Sequence, residues 1–175
     1  MGKAADLAAK LDASGFAIPA PREHPVHGVS ERRWIAPARI AAAAELANGA
    51  GFFYESMTCV DRLEAHNGFE LIYTFNRYDE PARIALQVLA PKDSSVPSLT
   101  GVYPMASWNE REAWEFYGLV FDGHPNLTWL LLPEDTDFHP LLKSFSAPPP
   151  SIYDDSMNPA VTPAVNGHSH TDPRD

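Results

Sequence analysis

The chain has 175 residues, 45% of them hydrophobic and 21% charged, which is ordinary for one folded domain with its own core. Its 13 basic and 23 acidic residues give a net charge of −10, and this leaves no basic footprint for nucleic acid or for an anionic membrane surface. A single cysteine, Cys59, can form no internal disulfide and cannot hold an iron–sulfur cluster by itself, which favours a reducing compartment.

Residues 3–13 have helical period, with Leu7 and Leu11 spaced i, i+4 and Gly15 placed to end the helix. This start lacks the apolar run of a signal peptide, and Asp6 stands where a myristoylation motif needs Ser or Thr. No stretch approaches the roughly 20 apolar residues of a membrane-spanning helix. Residues 16–29, rich in Pro, His and Gly, read as a connector, so 1–29 is taken as an N-terminal helix plus linker. Residues 30–35 suit a strand. Pro37 then fits the first turn of a helix through ARIAAAAELANG, with Gly49 as its stop and Ile40, Ala43, Ala44 and Ala47 as a flat apolar face.

Three strands are expected next, over 53–60, in FELIYTFN and in RIALQVLA. The second alternates Phe69, Leu71, Tyr73 and Phe75 with Glu70, Thr74 and Asn76. The short loop NRYDEPAR between the last two argues an antiparallel hairpin. Helices mixed with such strands give an α+β class, a mixed or antiparallel sheet packed with helices. Residues 91–106, with three prolines, read as loop. Residues 128–133, TWLLLP, suit a short buried strand. From 146 onward the composition turns Pro-rich and poor in large apolar residues, which predicts a tail (146–175) that is disordered or ordered only on a partner. The central domain is therefore 30–145.

The densest chemistry lies in 107–125. Ser107 and Glu110 have capping-box spacing, and Gly118 is placed as a left-handed helix stop. Arg111 and Glu115, i and i+4, can pair along one face, and Glu112 and Glu115 are neighbouring carboxylates. An acid–base role for that pair competes with a plainer reading, in which the charges bond to backbone or to a neighbouring chain. His124, before Pro125, suits a turn or core hydrogen bond more simply than a metal site with Asp122 and His139. His139-Pro140 repeats the pattern, and His168 and His170 in the tail suit at most a weak metal contact. Cys59 reads as a small core residue. Phe116, Tyr117, Phe121, Trp129 and 130–132 read as core, and Trp108 and Trp114 as candidates for an interface. There is no G-x-G-x-x-G after a strand, no Walker loop, no C-x-x-C, no G-x-S-x-G and no H-E-x-x-H.

Glu110-Arg111-Glu112, the aromatics Trp114, Phe116 and Tyr117, Gly118, then Gly123-His124-Pro125, Leu127 and Leu132-Pro133-Glu134-Asp135 together resemble the signature of the small hydrophilic C subunit of the proton-pumping NADH:quinone oxidoreductase, respiratory complex I. The resemblance covers roughly residues 34–145. It departs at Thr128-Trp129, where an arginine is usual, and at His139-Pro140-Leu141-Leu142-Lys143-Ser144-Phe145, where H-P-L-R-K-D is usual. A similar domain occurs in energy-converting nickel–iron hydrogenases and formate hydrogenlyases, which gives an alternative complex. The resemblance implies a peripheral, non-redox subunit on the cytoplasmic side of the cell membrane, part of a hetero-oligomer, with no membrane span and no nucleic acid. NADH, FMN, iron–sulfur clusters and quinone, or a nickel–iron centre, would belong to partner subunits. Those partners would be the large subunit related to hydrogenase large subunits and neighbouring iron–sulfur subunits. It further implies a partner-binding or structural motif made of Trp108, Glu110, Arg111, Glu112, Glu115, Gly118, Gly123, His124, Pro125, Pro133, His139, Pro140 and Lys143.

Overall fold

A computed structural model of the chain describes residues 2–21 and 28–146. The elements run in the order α1 (Lys3–Ala13), β1 (Ala17–Ile18), β2 (Glu31–Ile35), a 3₁₀ turn (Pro37–Arg39), α2 (Ile40–Gly49), β3 (Phe53–Asp61), α3 (Leu63–His66), β4 (Gly68–Asn76), β5 (Ile84–Pro91), β6 (Ser95–Pro97), α4 (Ala106–Tyr117) and β7 (Val120–Asp122). The first five strands form one sheet in the order β1-β2-β5-β4-β3. β4 and β5 pair antiparallel from Gly68 opposite Pro91 to Phe75 opposite Ile84, while β2 runs parallel to β5. The sheet is therefore mixed and the class α+β.

The period-two pattern decides which face is covered. Phe69, Leu71, Tyr73 and Phe75 of β4, with Ile84, Leu86 and Val88 of β5, are buried in one cluster with Ile40, Ala43, Ala44 and Ala47 of α2 and Ala106 and Ala113 of α4. Alanine at each of three α2 contacts lets that helix approach the sheet closely. Leu7 and Leu11 of α1 join the same cluster and are fully buried, each contributing about 2 kcal/mol of apolar burial. An 11-residue helix is marginal in water by itself, so α1 is held in place by this contact together with the Asp12–Arg33 ion pair to β2. No helix among the described residues is long and apolar enough to cross a membrane.

Several local expectations change. α2 runs through Gly49 and ends at Gly51, where φ is +79°. The Gly51 N–H donates to Asn48 O and the Phe52 N–H to Ala47 O, a Schellman closure that turns Phe52 back into the core. The proline-rich 91–106 loop contains β6, which pairs parallel with β7. The connector contains β1, which pairs with β2. Residues 128–133 form no strand, because their amides are taken by a side chain of α4 rather than by another strand. Leu131 is exposed, and Trp129, Leu130 and Leu132 are only half-buried, so this stretch lies over the surface and not in the core. All of the expected tail beyond Ser146, with His168 and His170, lies outside the described residues, as does the middle of the connector.

Candidate functional site: the α4 clamp

α4 opens at Met105 without any side-chain cap. The capping box expected from Ser107 and Glu110 does not form, since each side chain has a partner distant in sequence. Glu110, fully buried, accepts the Ser98 hydroxyl at 2.6 Å and the Leu99 N–H at 2.7 Å. It thereby ties the helix to the turn that follows β6. Burial raises Glu110 above the usual carboxylate range, and the bonds from Ser98 and Leu99 pull it part of the way back. Ser107 instead meets His124 Nε2 at 3.1 Å.

The expected Arg111–Glu115 pair is also replaced. Arg111 Nε donates to Thr128 O at 2.9 Å and its Nη2 to Trp129 O. Glu115, fully buried, accepts the N–H groups of Leu130 at 2.9 Å, of Leu131 at 3.0 Å and of Leu132. A cation takes two carbonyls and an anion takes the next three amides, so one helix side grips five successive residues of an otherwise irregular segment. These charge-assisted bonds satisfy backbone groups that no strand partner serves. Trp114 and Trp129 pack at 5.0 Å between centroids and close the clamp.

Glu112 is separate from this arrangement. It is exposed and lines a groove of about 330 Å³ beside β3, with Asn109, Tyr117, Cys59 and Leu141. Both Glu115 oxygens are occupied by backbone amides and its side chain is fully buried, whereas the Glu112 side chain is exposed. Cys59 sits at the buried side of that groove, and burial holds its thiol well above its ordinary range, which leaves it a weak nucleophile.

The histidines serve turns. His124 Nδ1 accepts the Asn126 N–H at 3.1 Å, so the proton sits on Nε2 and is donated to Ser107. Burial depresses the ring below its usual 6.5, and the Arg111 charge adds to that. Gly123, at φ +79°, makes the preceding turn, and Pro125 is exposed. His139 Nδ1 donates to Glu115 O at 2.8 Å, and its ring lies over Gly118. Gly118 has φ +77° and its N–H returns to Trp114 O, the left-handed stop read from the sequence. Pro140 is half-buried beside this contact and Pro133 is exposed at the end of the gripped segment. The Lys143 N–H donates to Asp61 Oδ2 at 2.8 Å, while Asp61 Oδ1 accepts the Leu63 N–H. Among the described residues no three His, Cys, Asp or Glu side chains gather as a metal site.

The sequence missed the partners rather than the motif. Ser98, Leu99 and the 128–132 backbone carry no signal, because backbone amides are the same in any sequence. Asp61 was not singled out, although an Asp two residues before Leu63 has the spacing of a local cap. The group Arg62–Glu70–Gln87 was missed too, since Glu70 occupies a polar slot of an alternating strand yet is fully buried.

Residues 33–151 match the family described as respiratory-chain NADH dehydrogenase, 30 Kd subunit. The chain is 44% identical over 86 residues to the C subunit of an NADH-quinone oxidoreductase of Phenylobacterium zucineum (strain HLK1), covering 49% of this chain and 41% of that one. It is 38% identical over 117 residues to the C subunit of an NADH-quinone oxidoreductase of Salinispora arenicola (strain CNS-205), covering 63% and 48%. The joined C/D subunit of an NADH-quinone oxidoreductase of Aeromonas salmonicida (strain A449) is 39% identical over 101 residues, 54% of this chain and 17% of that one. The matched region thus spans about half or less of these relatives. A chain in the structure of an archaeal membrane-bound sulfane sulfur reductase superposes with a TM-score of 0.66 at 19% identity, covering 83% and 86%, and shares the fold.

Proposed function

The chain belongs to the family of the 30 Kd subunit of respiratory-chain NADH dehydrogenase, and we propose from that premise that it is a non-redox structural subunit of a membrane-associated NADH:quinone oxidoreductase. It docks on the large subunit of the peripheral arm, on the cytoplasmic side, and holds that arm together while neighbouring subunits carry the NADH, FMN, iron–sulfur and quinone chemistry. The observation that carries this reading is the clamp: Glu110, Arg111 and Glu115 are spent on fixing this chain's own backbone, the work of a scaffold. A relative whose name joins C and D in one chain supports close contact between the two corresponding subunits here.

The rival is the equivalent subunit of an energy-converting nickel–iron hydrogenase or formate hydrogenlyase complex, favoured by the departures at Thr128-Trp129, Leu142 and Ser144. Affinity purification of the tagged full chain from its own cells tests both. Stoichiometric recovery of a large subunit together with NADH:quinone reductase activity is expected. Recovery with hydrogenase activity selects the rival, and recovery of the chain by itself overturns the proposal.

A further inference from the structure

The clamp holds still a piece of surface that is apolar where solvent would favour polar groups. Met105 is 69% exposed, Trp108 60% and Leu131 65%. Met105 and Trp108 are one helical turn apart at the start of α4. The Arg111 guanidinium lies 5.9 Å from the Trp108 ring and holds the carbonyls of residues 128 and 129, two positions before Leu131. One arginine thus holds the Trp108 ring and the backbone leading to Leu131, with Met105 one turn before Trp108. Rigid exposed aromatic and aliphatic anchors of this kind are what interfaces use, since little side-chain freedom is left to lose on binding.

The rim is acidic. Glu134, Asp135 and Asp137 are exposed just after the gripped segment, and Glu112, which lines the neighbouring groove beside β3, is exposed one turn beyond Trp108. Buried Thr136 and its N–H bond to Pro133 O, 3.0 Å, fix that acidic turn. We propose that Met105, Trp108 and Leu131 form the centre of a docking surface for a different protein chain, one that offers an apolar recess edged by lysine or arginine. This deepens the subunit reading above and rests on it. A second copy of this chain is disfavoured, because a two-fold contact would set each acidic rim against its own copy, and each copy carries a charge of −10. An anionic lipid surface is disfavoured for the same reason.

The test uses the full chain expressed in its own cells. Trp108→Ala and Leu131→Ser should each lower the recovered complex about tenfold or more. Tyr78→Ala, which removes a ring 92% exposed elsewhere, should leave recovery unchanged. Thermal melting of each purified variant checks folding. A photoreactive benzoylphenylalanine at position 108 gives a readout that does not depend on the variants. Its crosslink in the assembled complex should fall on a peptide of another subunit bearing Lys or Arg beside apolar residues. Assembly of both variants at the unsubstituted level overturns the surface, as does a crosslink only to a second copy, only to lipid, or to nothing. Failure of the unsubstituted chain to recover any complex would instead overturn the subunit reading itself.

Discussion

At the scale of single residues, Gly118 and His139 show how tightly the end of α4 is determined. A Cβ at Gly118 would lie 2.8 Å from His139 Nε2, at a φ of +77° that L side chains avoid. Gly118→Ala should therefore cost about 2 kcal/mol or more from strain and displacement together. Adding His139→Ala should relieve the steric part and leave the backbone part, so chemical denaturation of the four species should give a non-zero coupling. His124 supplies a pH dependence whose sign can be worked out. Its folded-state pKa lies below 6.5, so the unfolded chain takes up a proton first as pH falls. The stability it contributes is complete above about 6.5 and declines as pH drops from there through the lower folded value. His124→Asn should flatten that part of the stability–pH profile, measured by urea unfolding. The types of these residues were legible because Gly and His before Pro mark turns. Their partners were not, because the contacts cross from one element to another.

At the scale of elements, the gripped 128–132 segment owes its shape to Glu115. Glu115→Gln replaces one acceptor oxygen with a donor facing amides that are themselves donors. It should lower stability by about 3 kcal/mol, and amide exchange at Leu130, Leu131 and Leu132 should accelerate in the variant while β4 and β5 stay protected. A buried strand was the expectation here, since TWLLLP has the composition of one. Composition reports what a side chain prefers and not which acceptor reaches the backbone first, and a buried carboxylate next to three successive amides outcompetes a strand. β3, β4, β5, α1 and α4 were legible because long periodic runs survive tertiary packing. β1, α3, β6 and β7 were missed because two to four residues carry too little periodicity to register. The capping box failed for a related reason: Ser107 and Glu110 had the right spacing but better partners in His124 and Leu99.

At the scale of the whole molecule, α1 shares its core with α2 and the sheet although residues 1–29 read in sequence as a separate helix and linker. Leu11→Ala should then cost about 3 kcal/mol and leave a single unfolding transition when followed by both tryptophan fluorescence and circular dichroism. The sheet class was legible from the hairpin, but the parallel pairing of β2 with β5 was not, since nothing local in either strand names its neighbour. That pairing also bears on how the chain is made. Residues 36–83 separate the two strands, so β2 leaves the ribosome well before the strand it will lie against has been synthesised. The β4–β5 hairpin closes over a short loop and can form as soon as it emerges, whereas β2 must wait, edge unpaired, for a late and distant event. A pause or premature stop before residue 84 would leave that edge open to other nascent chains, and the half-made protein would be a substrate for chaperones or proteases until β5 arrived.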